Sequence, residues 1–194
     1  MDVILYNLSW MAFNLYLALL PVIFSIFLFK MPNKATKYLV GALWFLYLPN
    51  TIYIYSDLHH LLEQWTMVNI FEKGLLILEY SALEVLGLAC FLFAFYPIEV
   101  ILREMKFSEK ARVYWIVGIN FLIGFVMALG KIERINSWDL FTNIPFLISS
   151  TLHIFTSLDL IALSILFGIF ANCFYFLFRG NIIQFYMRSK TTRL

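Results

Sequence analysis

The sequence predicts an all-α fold, a polytopic integral membrane helix bundle. Three observations lead there. The chain is 62% hydrophobic and 19% aromatic, with 13% charged residues, whereas a soluble domain carries about 25% charged. Its apolar residues fall into runs approaching or exceeding the ~20 residues that a helix needs to cross a bilayer core. Its basic residues gather in alternate connections, the pattern by which a multi-pass chain is oriented. At 194 residues the length suits one transmembrane domain over 1–194, placed in a cell membrane with the lipid bilayer as its solvent.

The elements follow in order. We expect a first span over 8–29, with Pro21 tolerated because neighbouring helices can satisfy the carbonyl it frees. Asp2 heads the chain and no small-residue cleavage site follows this run, so the span is expected to insert as its own start signal. A basic loop at 30–37 leads to a second span at 38–56. Residues 57–73 form a polar connection containing Trp65, an aromatic of the type that anchors at interfaces. The third span is expected at 74–97, followed by a charged, amphipathic helical extension at 98–112. The fourth is expected at 113–130, followed by a second polar cluster at 131–139.

The apolar run 144–178 interrupts its 35 residues with only two groups that ionise near or below neutral pH, His153 and Asp159. As one helix it would reach about 52 Å, too long for a core of about 30 Å. It is too short for two full spans and a turn. We therefore expect one span at 158–178, preceded by an interfacial or re-entrant segment that carries His153, and followed by a short basic tail at 179–194. The total is about five transmembrane helices.

Charge sets the orientation. If 30–37, 98–112 and the tail face the cytoplasm, they hold 11 of the 14 basic residues and leave Lys73, Lys131 and Arg134 outside. The positive-inside rule then puts the amino terminus outside and the carboxyl terminus inside. Asp57, His59, His60, Glu79, Arg134, Asn136, Asp139, His153 and Asp159 would all lie toward the outer leaflet, where a bundle could turn them to one pocket. Glu84, ten residues into the third span, would sit about 15 Å down. A carboxylate at that depth is costly unless it is protonated, paired or wetted. Tyr80 shares its helical face, whereas Glu79 lies about 140° away.

The stretch Leu48-Pro-Asn-Thr-Ile-Tyr-Ile-Tyr-Ser-Asp-Leu-His-His-Leu61 concentrates this chemistry. Adjacent helical residues diverge by about 100°, so we expect His59 and His60 not to face one point. Asp57 and His60, three apart, can share a face. The candidate catalytic groups are thus Asp57, His60 and Asp139, and the candidate binding groups are Asn50, Tyr53, Tyr80, Glu84, Arg134, Asn136 and His153. The plainer readings are structural. Asp57 could cap a helix, Asn136 or Ser137 could cap the next, Arg134 could pair with Glu133, Asp139 or a lipid phosphate, and Cys90 and Cys173 could be simple packing residues. No HExxH, Walker loop, GxSxG or CxxC occurs. A metal site, if present, would draw on Asp57, His60 and His153, although their spacing does not demand one. The basic residues hug the membrane, so no nucleic-acid partner is expected.

Two blocks, Leu48–Leu61 and Gly130-Lys-Ile-Glu-Arg-Ile-Asn-Ser-Trp-Asp-Leu-Phe-Thr-Asn143, together with the start at Asn14, resemble an uncharacterised bacterial family of multi-pass membrane proteins known as domain of unknown function 1361. The resemblance implies a marked role for Pro49, Asn50, Tyr53, Asp57, Leu58 and His60, and for Gly130, Arg134, Asn136, Ser137, Trp138 and Asp139. It implies a bacterial cytoplasmic membrane and no particular activity. Two positions depart from the family pattern. Lys131 stands where arginine is usual, which keeps the charge but loses bidentate geometry, and Thr51-Ile52 stands where Ala-Pro is more typical. Three functions fit: binding or processing of a lipid headgroup or envelope precursor, proton-linked transport or a transporter accessory role through Glu84, and a structural subunit of a membrane complex.

Overall fold

A computed structural model describes residues 2–136 and 138–191. Ser137 and Arg193 lie outside the described residues. Nine α-helices and one 3-10 turn are present among the described residues, and no strand. Four helices are long and apolar enough to cross a membrane, within Val3–Lys30, Ile70–Glu104, Glu109–Ile132 and Leu158–Gln184. The protein is an all-α, polytopic membrane helix bundle. The chain divides into two compact units, one ending at Ala94 and the other beginning at Phe95.

In the first unit, α1 (Asp2–Lys30) runs through Pro21 without a break. Asn33 caps α2 (Lys34–Tyr47), its side chain accepting from the Ala35 N–H at 3.0 Å. The stretch expected as a second span is not one regular helix. After α2 come α3 (Asn50–Tyr53), a 3-10 turn (Ile54–Asp57) and α4 (Leu58–Gln64). Pro49, which has no N–H to donate and whose ring opposes the i−4 carbonyl, accounts for the break between α2 and α3. The backbone stays right-handed through the break, with Leu48 at φ −53°, Pro49 at φ −60° and Ile54 at φ −49°. Only the hydrogen-bond register changes: Thr51 N–H donates to Leu48 O at 3.2 Å. Irregular backbone is tolerated at membrane depth where protein covers it, and Leu48, Thr51, Ile52 and Ile54 are all fully buried.

Next, α5 (Ile70–Glu104) starts four residues before the expected third span. Asn69 and Glu72 explain the early start through a capping box. The Asn69 Oδ1 accepts from Glu72 N–H at 3.0 Å, and Glu72 Oε2 accepts from Asn69 N–H at 3.1 Å. The α5 stretch up to Ala94 packs on the broken segment. A Cβ at Gly87 would stand 3.1 Å from Ile54 Cγ2, and Trp44 Nε1 donates to Ala94 O at 2.8 Å.

The second unit holds the end of α5, α6 (Glu109–Ile132), α7 (Asp139–Thr142), α8 (Ile144–Thr156) and α9 (Leu158–Thr191). The helical extension expected to run to residue 112 stops at Glu104. Lys106 takes a left-handed φ of 57°, with Phe107 N–H on Leu102 O at 3.3 Å and Lys106 N–H on Arg103 O at 3.0 Å. That pair of bonds is a Schellman stop. Ser108 then restarts the chain as the N-cap of α6, accepting from Ala111 N–H. The apolar run 144–178 divides at Ser157, whose extended backbone (ψ 116°) separates α8 from α9. This is the expected short segment carrying His153 ahead of a span starting at 158. The helix continues past 178, so the stretch expected as a tail begins as helix.

α6 and α9 run antiparallel and approach very closely. A Cβ at Gly124 would lie 2.3 Å from Gly168 N, and one at Gly168 would lie 2.4 Å from Phe121 Cδ1. Small residues at a helix contact are how membrane helices gain packing where lipid offers no hydrophobic drive. Within this seam Asn120, fully buried, donates to Asn172 Oδ1 at 3.1 Å.

Candidate functional site

In the first unit the site begins with polar residues on apolar helices. Asn7, Trp10 and Asn14 are spaced three and four apart, which puts them on one face of α1. Asn7 is fully buried and exchanges two bonds with Gln64: its Nδ2 donates to Gln64 Oε1 at 2.8 Å, and Gln64 Nε2 donates to Asn7 Oδ1 at 2.9 Å. Trp10 Nε1 adds a bond to Asn7 Oδ1 at 3.1 Å. The Tyr80 hydroxyl donates to Gln64 Oε1 at 3.3 Å, and Asn7 Nδ2 reaches Glu79 Oε2 at 3.5 Å. One amide pair thus ties α1, α4 and α5 together.

Asp57 lies beneath this layer and is only 4% exposed. It occupies the N-cap position of α4 but makes no capping bond. Its Oδ2 accepts from Asn14 Nδ2 at 2.8 Å instead. The capping role open to Asp57 is therefore not the one its side chain takes. Tyr55, from the 3-10 turn, donates its hydroxyl to the Glu84 backbone carbonyl at 2.8 Å. Glu84 stands 14 residues into α5, about 21 Å along it. Both of its carboxylate oxygens are buried, and neither finds a hydrogen-bond partner among the described residues. The Glu84 carboxyl thus lies inside this unit without a hydrogen bond, whereas the buried Asp57 is held by Asn14.

The helical segments that build this site are poor in cations. α1 has none before Lys30, the stretch 48–64 has none, and α5 up to Ala94 has only Lys73, whose ammonium lies over the Trp65 ring at 5.2 Å. The two other first-unit candidates sit nearby in sequence but are locally satisfied or half-buried. Asn50 Nδ2 donates to Tyr47 O at 3.1 Å, and the Tyr53 carbonyl accepts from Ser56 Oγ at 2.6 Å.

The two histidines correct the expectation that they diverge. Their ring centroids are 3.7 Å apart. A 100° separation applies to Cα–Cβ directions, and long side chains in the first turn of a helix can fold back over one another. His59 Nδ1 bonds to Ser56 O at 2.8 Å, and His60 Nδ1 bonds to Glu63 Oε2 at 3.0 Å. Trp10 meets the His60 ring edge-on, with centroids 5.7 Å apart.

In the second unit, Asn136 and Asp139 bond within their own turn. Arg134 is exposed and holds a left-handed φ of 56°, which closes the end of α6. Asp139 Oδ2 accepts from Asn136 N–H at 2.7 Å, and Asp139 Oδ1 from Thr142 Oγ1 at 3.4 Å. His153 Nδ1 bonds to Glu133 Oε1 at 2.7 Å, linking α8 to the end of α6.

The other end of this unit carries a cluster that sequence reasoning passed over. Glu99 is fully buried and accepts from the Tyr175 hydroxyl at 2.5 Å, Arg179 Nε at 2.7 Å and Arg103 Nε at 3.2 Å. Arg179 Nη1 also contacts Glu109 Oε1 at 2.6 Å, and Glu109 pairs with Arg112. The signal was present: Glu99 and Arg103, and again Tyr175 and Arg179, are four apart and share a helical face. The equivalent signal for the first unit was the Asn7–Trp10–Asn14 stripe.

Residues 13–174 match the family described as "Protein of unknown function (DUF1361)". No curated protein matches the chain, and no solved structure does.

Proposed function

The chain belongs to the DUF1361 family, and from that premise we propose that it binds the polar headgroup of a lipid or envelope precursor in the acidic site of its first unit. The observation that carries this reading is Glu84, whose two oxygens are buried without hydrogen-bond partners in a unit that also buries Asp57. A buried acid without a hydrogen bond costs several kcal/mol in an apolar medium, so a ligand that donates hydrogen bonds or brings positive charge recovers that energy. The scarcity of cations in the surrounding segments favours an amine- or hydroxyl-bearing headgroup over a bare anion. Asn50 and Tyr53, on α3 immediately before the 3-10 turn that reaches Glu84, are further candidate contacts. His60, with its ring held by Trp10, is the candidate acid or base if the headgroup is also processed. The bias of basic residues favours an outward-facing site in a bacterial cytoplasmic membrane. In the second unit, Arg134, Asn136, Asp139 and His153 remain candidates for polar contacts of their own.

Glu84 also favours a second reading, in which it carries a proton during transport. Substitutions separate the two. Asp57→Asn, Glu84→Gln and His60→Gln would be compared with wild type in envelope lipid and precursor profiles by mass spectrometry, with abundance measured in parallel. The headgroup reading expects one lipid or precursor to change in Asp57→Asn and Glu84→Gln. Unchanged profiles at normal abundance would sink it. Loss of a substrate flux in Glu84→Gln alone would select transport, and a fall in abundance for all three would select a structural role.

A further inference from the structure

We infer that α4 carries a binding site for a divalent cation of the zinc type, held by His59, His60 and Glu63. The set differs from the one the sequence suggests, Asp57, His60 and His153, and it rests on the way the two imidazoles are held. One ligand atom from each of His59, His60 and Glu63 lies within 4.8 Å of the other two. Tetrahedral zinc, with bonds of about 2.0–2.2 Å to nitrogen and oxygen, needs ligand atoms closer than that. Rotation of exposed side chains supplies the difference, and His59 and Glu63 are both exposed.

The orienting contacts point the same way. Ser56 O can only accept, so His59 Nδ1, 2.8 Å from it, carries the proton. That tautomer leaves the His59 Nε2 lone pair free to ligate. Metal-binding histidines are commonly fixed in this manner, with the second ring nitrogen donating to a carbonyl or carboxylate. His60 Nδ1 is 3.0 Å from Glu63 Oε2, close enough for one ion to replace the proton they share or for the carboxylate to orient the ring. On its other side the His60 ring meets Trp10, which Asn7 holds in turn. The His60 ring is thereby set by contacts from two helices before any ion arrives. Borderline nitrogen and oxygen ligands suit zinc, copper or nickel better than calcium or magnesium. Three protein ligands leave a fourth position open, as in sites where zinc binds water or an oxygen of a ligand.

The inference goes beyond the headgroup reading and does not require it, because the ion is measured directly. The full chain, purified in detergent and stripped of metal, would be titrated with Zn²⁺ against a chromophoric chelator. One ion per chain is expected, with affinity falling at least about tenfold in each of His59→Ala, His60→Ala and Glu63→Gln. No binding by the wild type at millimolar Zn²⁺ would overturn the inference. So would His59→Ala binding normally while His153→Ala loses the ion, which would restore the sequence-based set. Should the variants fail to fold, wild-type protein settles the matter: Zn²⁺ should protect His59 and His60 from diethyl pyrocarbonate, read by mass spectrometry. Equal labelling of both residues with and without Zn²⁺ would refute the site.

Discussion

The contact between α6 and α9 allows a quantitative test of the scaffold. Gly124→Ala places a methyl group 2.3 Å from Gly168 N, 2.6 Å from Ser164 O and 2.7 Å from Gly168 Cα. All three obstacles are backbone atoms, so no side-chain rotation relieves them. Reaching the near edge of ordinary contact at 3.4 Å requires the helices to part by about 1.1 Å (3.4 − 2.3). A gap of 0.5–1 Å already forfeits about a quarter to a half of the dispersion well at each contact. Overpacking of this kind costs about 1–3 kcal/mol. The gain in helix propensity of alanine over glycine, about 1 kcal/mol, would mask part of that cost. Gly118→Ala supplies the correction, because it lies on the same helix with nothing within 4 Å of its Cβ. The difference between the two variants should therefore be about 1–3 kcal/mol, with Gly124→Ala the less stable. Unfolding of the detergent-solubilised chain by SDS titration, followed by circular dichroism, measures it. Equal stability of the two variants would refute the packing argument.

Further outcomes follow from the hydrogen-bond networks. Arg179→Leu leaves Glu99 without one of its two arginine partners in a fully buried position and should cost about 3–5 kcal/mol. Replacing Glu99, Tyr175 and Arg179 together by apolar residues of similar volume should cost less than that single change in the same titration. Asp57→Leu strands the Asn14 amide and should cost about 1–3 kcal/mol, whereas Asp57→Asn, which can still accept from Asn14, should cost less than half as much. Asn69→Ala removes half of the capping box of α5 and should cost about 1 kcal/mol, with faster amide exchange confined to residues 69–74. Unchanged exchange there would show that the cap does not hold the helix end.

Composition and run length were sufficient to read an all-α membrane bundle, a separate segment carrying His153 before a helix starting at 158, and the polar character of 48–61. These are local properties: about 20 apolar residues in water-free surroundings have little choice but a helix, and a lone proline or charge is visible wherever it falls. Boundaries set by short-range chemistry were also present in the residues, although not used: Asn69 and Glu72 start α5 four residues early, and Lys106 adopts the left-handed turn that ends it.

Partner choice belonged to the tertiary structure. Asp57 carries the chemistry of a helix cap, yet Asn14, 43 residues away, takes its carboxylate. His59 and His60 diverge on an ideal helical wheel, but their side chains fold together with Glu63. Glu99 reads as one charge in a polar segment until Tyr175 and Arg179 close on it from α9. A helix needs only its own backbone to satisfy its peptide groups, so sequence alone determined that the chain is helical, although not where each helix ends. A buried side chain must find its partner on another element, so only packing decided that the Asp57 carboxylate would meet Asn14.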